Sequence, residues 1–176
     1  MLSGKRRWFW PLLVLMGILA GCGAPAPTEP PAAAPTAELP LARPFTLTTP
    51  EGAEIALADY AGQVVMVNFW ASWCPPCAAE MPELEAYYQT HQHEGFVIIG
   101  VNVKDPSVVV ADFAARHALT FPLALDLTGR VSVEYGVVGL PSSYFINREG
   151  RIIGYWPGAL DQALLEEAIT PLLQAP

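Results

Sequence analysis

Residues 64–77 read VVMVNFWASWCPPC, and this stretch decides the fold. Val64, Val65, Met66, Val67, Phe69 and Trp70 form a nearly unbroken β-branched and aromatic run. Such a run suits a strand buried on both faces, because a half-exposed strand would alternate with polar residues. A short turn, Ala71-Ser72-Trp73, leads to Cys74-Pro75-Pro76-Cys77, and the following AAEMPELEAYYQ favours a helix. Cys74 therefore falls at a helix start, where unpaired N–H groups and the helix dipole stabilise a thiolate. Two cysteines three positions apart can close a small disulfide ring and reopen it, which is the chemistry of thiol–disulfide exchange. Cys74 reads as the exposed nucleophile and Cys77, one turn further in, as the buried resolving thiol.

Other uses of the pair are weaker. A structural zinc site takes four ligands, often from two CxxC pairs. This chain has one such pair, and His91, His93 and His117 keep no fixed spacing to it. A disulfide this short closes too small a loop to staple a fold. The expected metal set is none, and the expected cofactor is none beyond a redox-active Cys74–Cys77 disulfide.

Upstream the chain opens with Lys5, Arg6 and Arg7, followed by an apolar run over residues 8–20 that is short for a membrane span but suits the core of a signal peptide. It ends in Leu19-Ala20-Gly21-Cys22, which resembles the lipobox of bacterial lipoproteins. The expectation is cleavage before Cys22 and lipid on its sulfur; the alternative is an uncleaved anchor with an incidental cysteine. Loss of residues 1–21 removes three basic residues and no acidic one, taking the net charge from −8 to −11. That balance argues against nucleic acid as a partner and against an electrostatic hold on anionic lipid. Residues 22–44 read as the lipidated cysteine and a linker: seven of residues 23–44 are proline, and apolar periodicity is missing. In polyproline II such a linker reaches roughly 70 Å.

Residues 45–176 form the globular part. Two short strands, 45–48 and 54–57, precede the central one. The helix after Cys77 contains Pro82, which should kink it. FVIIGVNV at 96–103 reads as a second buried strand. Residues 108–117 read as a helix with Val109, Phe113 and Ala114 inward. A strand within 119–125 and a short helix at 128–135 follow. Strands at 142–146 and 151–155 flank the turn Asn147-Arg148-Glu149-Gly150. A last amphipathic helix, 160–173, turns Leu164, Leu165, Ala168 and Ile169 inward. Alternating strands and helices with a closing hairpin predict an α/β domain with a mixed central sheet and helices on both faces.

At WCPPC after VNFWAS the chain resembles thioredoxin, and more narrowly the TlpA/ResA/DsbE-like branch of exported, membrane-tethered thiol–disulfide oxidoreductases. The likeness covers residue 45 to the C-terminus. It implies a thioredoxin-like fold with an N-terminal strand extension and a helix–strand insertion between Asp105 and Gly136. Val138-Gly139-Leu140-Pro141-Ser142-Ser143 resembles the cis-proline loop of that fold, which sits beside the cysteine pair. By itself Pro141 could equally be a trans proline opening a strand. A cis bond there would leave the Leu140 backbone free to pair with an extended substrate segment. The family often has threonines after this proline, where this chain has Ser142 and Ser143.

Glu80 lies three residues past Cys77, on nearly the same helix face. ResA-like proteins carry a glutamate here, and a partly buried carboxylate could exchange a proton with Cys77; the plain alternative is a solvated glutamate. Thioredoxins commonly bury an aspartate where this chain has Asn68, which cannot do acid–base work. Trp73 and Trp70 either cover the pair or belong to the core.

The resemblance implies reduction of disulfides in exported proteins, with the haem-attachment cysteines of apocytochrome c in cytochrome c maturation as one candidate substrate. Other readings are an oxidant of exported thiols, a peroxiredoxin-like peroxidase (which WCPPC fits poorly) and a tethered metal- or copper-binding module. Pro75 and Pro76 have no N–H for the Cys74 sulfur, so only Cys77 within the ring can donate. Less thiolate stabilisation predicts a reducing pair, nearer thioredoxin at about −270 mV than DsbA at about −120 mV. A reducing pair outside the cytoplasm implies an electron-delivering membrane partner, a CcdA- or DsbD-like thiol conduit.

Overall fold

The computed structural model describes residues 38–174. Cys22, the leader and most of the linker lie outside them. Seven strands form one mixed sheet: β1 (Thr46–Thr48), β2 (Glu54–Ala56), β3 (Val64–Trp70), β4 (Phe96–Val103), β5 (Leu123–Asp126), β6 (Ser142–Ile146) and β7 (Ile152–Pro157), in the order β2-β1-β5-β4-β3-β6-β7. β3 runs parallel to β4 and antiparallel to β6. Every residue of β3 is buried, as expected of an apolar run with a strand on each side. Among the described residues four α-helices complete the fold: α1 (Pro75–His91), α2 (Ser107–His117), α3 (Arg130–Glu134) and α4 (Gln162–Leu173).

The period-two alternation of β3 divides the core. Val64, Met66 and Trp70 pack with Met81 and Leu84 of α1, Val110 and Phe113 of α2, and Leu165 and Ile169 of α4. Val65, Val67 and Phe69 point the other way, into a layer with Phe45, Ile55, Val131 of α3 and Tyr135. Helices thus cover both faces, three on one and the short α3 on the other. β1 and β2 are the expected N-terminal extension, and α2 with β5 is the expected helix and strand between β4 and α3.

Several expectations differ in detail. The helix of residues 107–117 turns Val110 inward, not Val109. Pro106 caps its start, and the buried positions 110 and 113 share a face with partly buried Ala114. His117, the next position on that face, stacks on Phe113 at 4.1 Å. α1 continues through Pro82 to His91. The packed chain begins before residue 45. Leu41 pairs with Arg151, the Ile152 N–H donates to the Pro40 carbonyl, and the Arg151 guanidinium reaches the Leu39 carbonyl at 2.6 Å. Backbone pairing along the start of β7, which proline composition does not reveal, fixes residues 39–42 there. Among the described residues no helix is long and apolar enough to cross a membrane.

Candidate active site

The parallel strands β3, β4 and β5 end at one edge of the sheet, and the loops that follow them gather there. β3 delivers residues 71–74 to this edge, and the Cys74 N–H closes a turn onto the Ala71 carbonyl at 3.2 Å. Cys74 is the N-cap of α1 in extended conformation, and Pro75 and Pro76 occupy the first helical positions, where a missing N–H costs nothing. Cys74 and Cys77 are joined in a disulfide. The Cys77 N–H donates to the Cys74 sulfur at 3.3 Å. It is the one donor the ring leaves available to that sulfur.

Cys74 is less open than its position suggests. Only 4% of its surface is accessible, and Cys77 is fully buried. The covering groups form a cleft of about 500 Å³ lined by Trp73, Cys74 and both ring prolines, faced by Val103 and by residues 137–140. No lining side chain carries a charge. Trp73 stands at its rim, 68% exposed, and Val138 is 94% exposed. Trp70 is not part of this cover: it is core, packed on Phe113 at 4.7 Å between ring centres.

The Leu140–Pro141 bond is cis. Leu140 lines the cleft beside Cys74, and Pro141 is buried behind it. The Ser142 hydroxyl donates to the Gly139 carbonyl at 2.8 Å and meets the Tyr155 hydroxyl at 3.2 Å, so it braces the loop from within.

Behind the disulfide, Glu80 is 2% exposed, so it is not a solvated helix residue. β3 alternation aims Asn68 at α1. The Asn68 amide donates to Glu80 Oε1 at 2.9 Å and to Ser143 Oγ at 3.0 Å, while the Leu160 N–H donates to Glu80 Oε2 at 2.9 Å. Burial raises the Glu80 pKa to about 7, and those hydrogen bonds only partly oppose the rise. Asn68 Oδ1 is buried without a partner. Rotation of the amide by half a turn would present that oxygen to a protonated Glu80, so one residue can serve both protonation states.

A second buried carboxylate lies on the other side of the turn. Asp105, 6% exposed, accepts the Ser72 N–H at 2.7 Å and the Asn102 amide at 2.9 Å, and its own N–H donates to Asn102 Oδ1 at 3.1 Å. Sequence reading missed Asp105 and Ser143. Asp105 stands one residue ahead of Pro106, the cap of α2, and its carboxylate turns back to the loop that follows β3. Ser143 becomes legible only through its register with Asn68. Among the described residues no group of three or more His, Cys, Asp or Glu could hold a metal.

The AhpC/TSA family model matches residues 36–154. The thiol–disulfide oxidoreductase ResA of Bacillus thuringiensis is 36% identical over 130 residues, spanning 72% of this chain and 75% of that one. The sporulation thiol–disulfide oxidoreductase A of Bacillus subtilis is 35% identical over 111 residues, 61% of this chain and 67% of that protein. In the crystal structure of a DsbE-type thiol:disulfide interchange protein from Chlorobium tepidum, 31% identical, the TM-score is 0.72 over 77% of this chain and 96% of the other.

Proposed function

This chain belongs to the AhpC/TSA family and, within it, to the thiol–disulfide oxidoreductases of thioredoxin-like fold, and on that premise we propose that it is a membrane-tethered reductase of disulfides in exported proteins. The observation that carries the reading is the Cys74–Cys77 disulfide at the start of α1, open to the cleft on one side and backed by Glu80 on the other.

In the reduced enzyme the Cys74 thiolate attacks one sulfur of a substrate disulfide. A mixed disulfide forms, and the other substrate sulfur leaves as a thiolate that takes up a proton. Cys77 then gives its proton to Glu80 and attacks the Cys74 sulfur. The mixed bond breaks, the second substrate thiol is released, and Cys74–Cys77 closes. Two electrons have passed to the substrate. A dithiol donor on the membrane, a CcdA- or DsbD-type conduit, returns them. Trp73 and the Leu140 backbone hold the substrate segment in the cleft, with Pro141 shaping the turn. Haem-attachment cysteines of apocytochrome c are the favoured substrate.

The leader, residues 1–21, is removed and Cys22 carries the lipid. Residues 23–38 give the domain reach from an extracytoplasmic membrane surface. Cys22→Ser should abolish lipid labelling and release the domain from membranes; labelling that persists refutes the anchor. The redox reading is tested by trapping. Cys77→Ser should accumulate mixed disulfides with exported proteins in its own cells, and Cys74→Ser should accumulate none. Equal trapping by both variants, or by neither, contradicts the assigned roles.

A further inference from the structure

Asp105 poses a physical problem. A carboxylate this buried normally has a cationic partner or a full set of donors. Among the described residues none of the ion pairs includes it. Its Oδ2 accepts two N–H groups, and one of them, from Ser72, belongs to the turn that carries Cys74. Its other bond, through its own N–H to Asn102, ties it to the end of β4. Local rules are broken most often where function requires it.

The surroundings narrow what the charge can act on. Val103, two residues before Asp105, faces Cys74 across the cleft. Lys104 adopts a left-handed backbone (φ 69°), and its side chain lies over Gly129, where a β-carbon would come within 2.5 Å of Lys104 Cε. The nearest cation in sequence is thus directed to the β5–α3 turn. There Asp126 is occupied by the Ser132 N–H at 2.8 Å. From α1 the titratable neighbour is Glu80, held behind Cys77. Residues 137–140 bring no charge. Cys74 therefore meets one N–H donor, from Cys77, and its turn is held two residues upstream, at the Ser72 N–H, by the buried Asp105 carboxylate.

We propose that Asp105 is a positioning residue of the redox site: it latches the Ser72–Cys74 turn to the end of β4, and its charge disfavours the Cys74 thiolate, holding the pair toward the reducing end. The latch sets where Cys74 meets the cleft. The charge acts in the same direction as the two ring prolines, which withhold donors from the same sulfur. This rests on the assignment of Cys74 as nucleophile.

Asp105→Asn removes the charge and keeps the size of the side chain. The pH midpoint for alkylation of Cys74 should fall. The equilibrium constant for reduction of the disulfide by glutathione should rise roughly tenfold, the scale of one nearby charge in partly buried surroundings. Asn102→Ser loosens the latch but keeps the charge, so its midpoint should not fall. An unchanged midpoint and equilibrium in Asp105→Asn overturn the proposal, whatever happens to its Tm. An equal fall in Asn102→Ser also overturns it, since loosening alone would then account for the effect. If Asp105→Asn does not fold, Asp105→Ser removes the same charge, leaves a hydroxyl acceptor and is read in the same way. If iodoacetamide modifies Cys77 before Cys74 in the wild-type domain, the nucleophile assignment fails first, and that result is distinct from a failure of Asp105 alone.

Discussion

The two faces of β3 are equally buried and are put to different uses. On one face Val65, Val67 and Phe69 pack into an apolar and aromatic cluster: Phe69 lies 5.3 Å from the Tyr135 ring and 6.0 Å from Tyr144. On the other, Met66 and Trp70 flank Asn68, and through it a polar inset of Glu80, one helical turn after Cys77, and Ser143. A face that only holds the fold can be apolar throughout. A face that holds a buried carboxylate keeps a group whose charged form is costly in the interior, and that cost raises the pKa of Glu80 to about 7.

The largest expected effect is on the apolar face. Phe69→Ala should lower the stability of the oxidised domain by roughly 3–5 kcal/mol, measured by urea unfolding. It should leave the pH dependence of disulfide exchange in the remaining folded protein as it is. A changed pH profile would mean that the two faces are not separable.

Next comes the polar face. Glu80 has its pKa raised to about 7 in the fold. The folded protein therefore binds more protons than the unfolded chain between the ordinary carboxyl value and about 7. Stability contributed by the protonated form is complete at low pH and is lost as pH rises through 7. From pH 5 to 8 this costs about 2.5 kcal/mol. Glu80→Gln should flatten that slope in urea unfolding of the oxidised domain, and should slow exchange while removing its pH dependence near 7. A slope that persists in the variant would assign the titration to another group.

The smallest expected effect concerns the ring. Pro75→His adds a donor N–H and an imidazole close to Cys74, and should shift the glutathione equilibrium toward the dithiol by roughly tenfold. Thiol alkylation across pH would report the matching fall in the Cys74 pKa. No change in either would remove the two prolines from the explanation of redox poise.

The division between the faces also marks what the sequence made legible. Strands β3, β4 and β6, helix α4 and the cysteine pair are written in local patterns: long β-branched runs, a helical stripe, a spaced pair of thiols. The role of Asn68 could be framed from its place in the strand, but its partner Ser143 lies 75 residues away and depends on β3–β6 register. Burial of Cys74 was hidden for the same reason, since the cleft beside it is lined by Val103 at the end of β4 and by residues 137–140. Val110 rather than Val109 faces the core because it shares the i, i+3 stripe of Phe113, while Val109 falls on its flank. The link from Asp105 to the redox turn could not be found from spacing, because it runs to the Ser72 N–H, 33 residues away, while its bonds to Asn102 are local.

The central claim is that Cys74 and Cys77 form a reducing pair, with few donors at the Cys74 sulfur and a proton acceptor behind Cys77. Its most direct test is the equilibrium of the purified domain with glutathione at pH 7, read by the fraction of dithiol at known ratios. The account predicts a potential near that of thioredoxin, about −270 mV, so the disulfide persists except at strongly reducing ratios. A value near that of DsbA, about −120 mV, would contradict it and make the protein an oxidant of exported thiols.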